Sequence, residues 1–415
     1  MPDKFLLLEP DQVNAAILLF LTLGAENANK PLIADKFFET FGPGNVIGHT
    51  DRPFERFHDY ERLLKVLREA DDQKYKTIHK GTPFYFLAWT AFDMGIHEKA
   101  LFYMDAAISE DIRKNPDGWL NESASQFLLL KEPESQPARR VATDFRSRVE
   151  AQVNRFNGIP GFPNLSIQDI LERFVEPVVK DINTREKRSV VTAFYSFILE
   201  YDELSNQLQL RSAAGGSIEP FVTHLFKGGL IFESLLKHFY KDKTDPSNII
   251  EFKQLGQIFR NSRDFRAHFP DGYARSGAPN SGYNTKADDL KVDIIDKFSA
   301  DDLITAFETT AKLRNTTGHK LTWADYFPGN YDRLFEQEVN AILFVIEKNL
   351  VPIAGSAAVT PPATPTLAGP AAGSGSVVVD GTTTTSGTNT TTTTDPRLTE
   401  GAETTRSGLT DQDRE

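Results

Sequence analysis

The chain has 415 residues, no cysteine, 40% hydrophobic and 25% charged residues, and a formal net charge of −12. That length allows two or three domains, and the composition is that of a folded globular chain. The missing cysteines exclude disulfides, thiolate zinc sites and cysteine nucleophiles, and the acidic balance argues against a protein that coats nucleic acid nonspecifically.

The charge is unevenly placed. Beyond Ile353 seven acids stand against three arginines, so −4 of the total belongs to the tail. Between Asp181 and Lys348 there are 24 acids and 21 bases. That near balance is compatible with transient contact with a polyanion.

The N-terminal part reads as consecutive helices. Ala15–Leu23 is the most apolar window, follows the acids Glu9 and Asp11, and falls short of the roughly 20 apolar residues of a membrane span. It predicts a buried helix over Gln12–Leu23, in a soluble cytoplasmic protein. Phe54, Phe57, Tyr60, Leu63, Leu64 and Leu67 recur at three- and four-residue spacings, which predicts an amphipathic helix. In Pro83–Ser109, Gly95 falls where a tight interhelical turn belongs, and Ala88, Ala100 and Ala107 are small enough for two helices to approach closely. With Phe84, Leu87 and Tyr103 these residues resemble one tetratricopeptide repeat, near 81–114. Gly118–Leu130 and Val141–Phe156 continue the helical pattern.

Asn157–Pro163, dense in Gly and Pro, ends that run and predicts an inter-domain hinge. The expected organisation is a helical domain over 1–157, a connector over 158–186 carrying the helix Ile167–Val179, a helical bundle over 187–352, and a disordered Thr/Pro/Gly-rich tail over 353–415. The bundle comprises Val190–Leu210, Pro220–Tyr240, a shorter piece at Ile249–Ile258, a helix opened by a capping box at Ser299–Asp302, and Tyr331–Asn349. Gly228-Gly229 inside the second helix marks a kink or a close helix contact. Phe269–Asn284, rich in Gly and Pro with Tyr273, Arg275 and Tyr283, reads as a long loop.

The chemistry concentrates in Ala311–Leu321. Each helical residue advances about 100°, so Asn315 and His319 stack on one face while Arg314 reaches round beside them. A guanidinium fork binds two nonbridging phosphate oxygens, and an imidazole near neutrality takes or gives a proton. Arg314-Asn315-Thr316-Thr317-Gly318-His319 resembles the Arg-polar-x-x-x-His motif of the HEPN ribonuclease family. The resemblance implies an all-α bundle and a dimeric endoribonuclease that needs no metal or other cofactor. It implies attack by the ribose 2′-OH, leaving 2′,3′-cyclic phosphate and 5′-OH ends. It also implies His319 as the acid–base residue, Arg314 as the phosphate clamp and Asn315 as the orienting group, with half of the site supplied by each protomer of a homodimer. Lys312 and Lys320 flank the motif as expected substrate contacts.

A second copy of the spacing, Arg263, Asp264 and His268, runs into Phe269-Pro270 and is the alternative catalytic set. Glu233 could face the motif from the Gly-Gly helix, although a solvated helix glutamate is the simpler expectation. His224 and His238, 14 residues apart, lie about 21 Å apart along their helix and do not form one metal site. There is no P-loop, dinucleotide fingerprint or nucleophile elbow. The expected activity is therefore RNA cleavage by the bundle, with an N-terminal part that regulates it or binds a protein partner. A noncatalytic scaffold or nucleotide- or partner-binding protein of the same helical types is the rival.

Overall fold

The computed structural model describes residues 9–24, 34, 37–38, 53–131, 136–180, 185–210, 217–243, 249–270, 301–317 and 328–352. These residues are all-α: the only strand-like feature among them is a single antiparallel bridge between Asp242 and Ile250. The expected tail at 353–415 and the loop beyond Pro270 lie outside the described residues.

Helix α1 (Pro10–Thr22) begins with a capping box between Glu9 and Gln12. It buries Val13, Ala16 and Phe20 but leaves Leu18, Leu19 and Leu21 exposed, so it is buried on one face and not all round as its composition suggests. Helices α2 (Pro53–Ala70) and α3 (Asp72–Thr77) follow. Then comes the hairpin of α4 (Gly81–Asp93) and α5 (His97–Lys114), turned by Gly95 at φ +71°. Only glycine occupies that left-handed region without strain. Ala88, Ala100 and Ala107 are fully buried, as close packing of the pair requires. The expected helix over Gly118–Leu130 is a 3-10 turn, Trp119–Asn121, and a short α6 (Ser123–Leu128).

Helix α7 (Gln136–Asn157) ends at the predicted Gly/Pro break. Beyond it α8 (Ile167–Ile170), a π turn (Leu171–Val175) and α9 (Glu176–Lys180) run on as one rod. The bundle comprises α10 (Arg185–Leu210), α11 (Glu219–Phe239), the short α12 (Leu255–Asn261) and α13 (Arg263–His268), α14 (Leu303–Thr317) and α15 (Tyr331–Lys348). Two boundaries differ from expectation. Helix α12 starts at a Gln254–Gln257 capping box, so 249–254 is not helical. Helix α14 starts at Leu303, with Asp302 Oδ1 accepting from the Thr305 amide at 2.7 Å; Ser299 lies outside the described residues.

Packing does not break at 158–186. Met1–Ala357 forms one compact unit with one continuous hydrophobic cluster running from Ala16 to Ile346. The reason is α10, which packs on both halves. Arg188, 2% exposed, donates to Asp105 Oδ1 and Ser109 Oγ of α5, both at 2.8 Å. Phe145 meets Tyr195 edge-on, and Arg155 donates to Asn340 Oδ1 at 2.9 Å.

Candidate functional site

The site is built where α11, α14 and α15 cross. Gly228 and Gly229 are both buried and permit the crossing, so the pair marks a close helix contact. A Cβ on Gly229 would lie 2.6 Å from Arg314 Cβ and 2.9 Å from its Cα. The backbone of α14 therefore rests directly on that glycine. On its other side, a Cβ on Gly228 would meet the Glu338 carboxyl and the Phe197 ring.

One helical turn after Gly229 stands Glu233, which is buried against α14 and not solvated as expected. One carboxylate oxygen pairs with Arg314 Nε, and the other with Lys237 Nζ at 2.8 Å. Arg314 Nη1 donates to Asn315 Oδ1 at 3.3 Å. The guanidinium is thus oriented from two sides, yet its Nη2 hydrogens and one Nη1 hydrogen lie outside these bonds. Its side chain is 31% exposed, so those donors can meet a ligand from solvent. Asn315 is buried and acts on Arg314.

Lys312, expected as a substrate contact, is largely buried on α14. His319 and Lys320 lie outside the described residues, which on this helix end at Thr317.

The second copy of the spacing is placed elsewhere. Phe265 and Phe269 pack on Phe307, two turns before Arg314 on α14 and about 10 Å along its axis. There Arg263 is exposed, Asp264 pairs with Lys243 at 2.5 Å, and His268 Nδ1 lies 3.0 Å from Tyr240 Oη. The two arginines do not share a site.

Behind the crossing lies an unusually polar interior. His224 Nε2 donates to the Phe197 carbonyl at 2.7 Å, which leaves Nδ1 to accept from Tyr331 Oη at 2.8 Å. Burial, partly offset by that carbonyl, lowers this imidazole to about 3, so it is neutral and structural. Glu338 is fully buried with neither carboxyl oxygen hydrogen-bonded, and desolvation raises its pKa well above the ordinary range. Burial without a partner disfavours its charged form. No group of three or more His, Asp or Glu side chains suited to a metal occurs among the described residues, and none of their helices is long and apolar enough to cross a membrane.

No protein-family model matches the chain, and neither a curated protein nor a solved structure matches it.

Proposed function

We propose that the bundle is a metal-independent endoribonuclease acting as a homodimer in the cytoplasm, with no cofactor. Arg314 clamps the scissile phosphate through the donors that Glu233 and Asn315 leave uncommitted. His319, five residues on, takes the proton of the ribose 2′-OH. The 2′-oxygen bonds to phosphorus, the bond to the 5′-oxygen breaks, and that oxygen leaves with a proton from an imidazolium. With one Arg314 and one His319 per chain, a second protomer supplies the other acid–base group across a two-fold axis. General acid–base catalysis of this kind contributes about 10²–10⁴ in rate, and the clamp adds stabilisation of the developing phosphorane charge. The N-terminal helices, sharing the core through α10, regulate the bundle or receive a protein partner.

The observation that carries this reading is the buried Glu233 orienting an arginine whose outer donors remain accessible. The same pair favours one rival, a noncatalytic scaffold in which Arg314 is a structural counter-ion. Incubation of the purified chain with single-stranded RNA in EDTA separates them. Cleavage with 2′,3′-cyclic phosphate ends, lost in His319→Ala, is the expected result. No cleavage, or equal cleavage by both proteins, overturns the nuclease reading.

A further inference from the structure

Helices α12 and α13 divide their side chains between the core and an arginine face. Phe259, Phe265 and Phe269 are buried, with Phe265 against the Tyr240 ring and both Phe265 and Phe269 against Phe307 of α14. Arg260, Arg263 and Arg266, every third residue of the same stretch, are exposed. The phenylalanines thus fix the arginines to the helix that ends in Arg314.

These cations have no counter-ions. Residues 249–270 hold four cations, the fourth being Lys253, against two acids, in a chain of net charge −12. Both acids are taken up by lysines from the preceding stretch, Glu251 by Lys241 and Asp264 by Lys243. Among the described residues no carboxylate pairs with Arg260, Arg263 or Arg266. Their side-chain hydrogen bonds are two, from Arg260 Nε to the Gly256 carbonyl at 3.0 Å and from Arg266 Nε to the Ser262 carbonyl at 3.4 Å. The terminal nitrogens of all three guanidinium groups are uncommitted. The helix dipole favours Arg260 and Arg266, which lie in last turns, but not Arg263, which opens α13. Like charges three residues apart also repel. Packing explains the phenylalanines; it does not explain the arginines.

We propose that Arg260, Arg263 and Arg266 bind the phosphate backbone of the RNA strand whose scissile phosphate Arg314 holds. Each fork can take two oxygens of one phosphate, which suits arginine better than lysine. Arg263 and Arg266 have Cβ atoms roughly 5–6 Å apart on one helix face, close enough to meet neighbouring phosphates. On the reading of the bundle as an RNA-cleaving domain, this face extends substrate contact beyond the single phosphate at Arg314. It also gives Arg263, the start of the second Arg-x₄-His spacing, a binding role away from the reacting atoms.

The test uses the full chain and a fluorescent 2′-O-methyl RNA of about 12 nucleotides, which lacks the nucleophile and has the length of a single-strand site. Affinity is measured across a salt series for the wild type and two triple variants, with melting curves to establish that each is folded. Arg260→Gln/Arg263→Gln/Arg266→Gln removes the face. Lys65→Gln/Arg68→Gln/Lys76→Gln removes the same charge from exposed positions on α2 and α3. The first variant is expected to bind about 10²-fold more weakly at about 0.1 M salt, with the slope of log affinity against log salt shallower by about 2. The second is expected to bind as the wild type does. Equal loss in both overturns the face, because net charge alone then sets affinity. RNA binding that the first variant leaves unchanged overturns the face and leaves the nuclease reading standing. If an oligoglutamate of the same length binds through these arginines and RNA does not, the partner is an acidic protein and the RNA proposal falls. A wild type that binds no RNA at any salt overturns both the face and the nuclease reading.

Discussion

Two close helix crossings among the described residues are made in opposite ways. The α4–α5 hairpin closes on Ala88, Ala100 and Ala107 around an aromatic shell, and its buried polar groups, among them His79, Lys80 and His97, sit at the helix ends. The α11–α14–α15 crossing closes on two glycines and carries Glu233, Glu338, His224, Asn315, Gln337 and Asn340 in its interior. The hairpin needs no explanation beyond packing. The bundle keeps polar groups that weaken a core, including one carboxyl with no partner.

The largest effect expected is at Gly229. Valine there gains helix propensity of under about 1 kcal/mol but drives a branched side chain into the backbone of α14, so a net loss of about 3 kcal/mol follows. Denaturant unfolding measures it, and RNA cleavage by Gly229→Val should disappear as Arg314 is displaced. Full activity would mean that the close crossing does not set the arginine.

A smaller effect separates the crossing by pH. His224 has a folded pKa of about 3 against an ordinary 6.5, so the unfolded chain binds the proton first. Its contribution is whole above pH 6.5 and is lost as pH falls from 6.5 toward 3. At pH 5 the loss is about 2 kcal/mol. His97, lowered by burial to about 4, adds to the same trend. Unfolding curves at pH 7.5 and 5 for the wild type and His224→Phe check this; the variant should be less stable at pH 7.5 but lose less on acidification.

Glu338 gives the opposite sign. A raised pKa means stability present below the unfolded value and lost as pH rises through the folded one. Glu338→Met removes a carboxyl with no partner at similar volume and should stabilise by roughly 1–2 kcal/mol at pH 7. The gain should grow with pH. A destabilised variant would mean that the acid is partnered in solution.

Much of the architecture was legible in the sequence. Apolar spacings of three and four located the long helices, and Gly95 located the hairpin turn, where it adopts φ +71°. Two features were not legible, for a shared reason. Whether Leu18, Leu19 and Leu21 are covered, and whether Glu233 is solvated, depends on what packs against the helix and not on the helix itself. For Glu233 a signal did exist. Gly229 marks the face that α14 touches, and position 233 is one turn along that same face. Likewise the contacts of Arg188 and Tyr195 of α10 with α5 and α7 join segments far apart in the chain, which no local pattern announces.

Whether Arg314 is held for chemistry or for stability shows in the cleavage rate of Arg314→Lys in EDTA, read beside its melting temperature. Lysine keeps the charge opposite Glu233 but lacks the planar fork that grips two phosphate oxygens. A rate lower by roughly 10²-fold with melting little changed is expected if the arginine serves chemistry. A variant that cleaves RNA at the wild-type rate would contradict it.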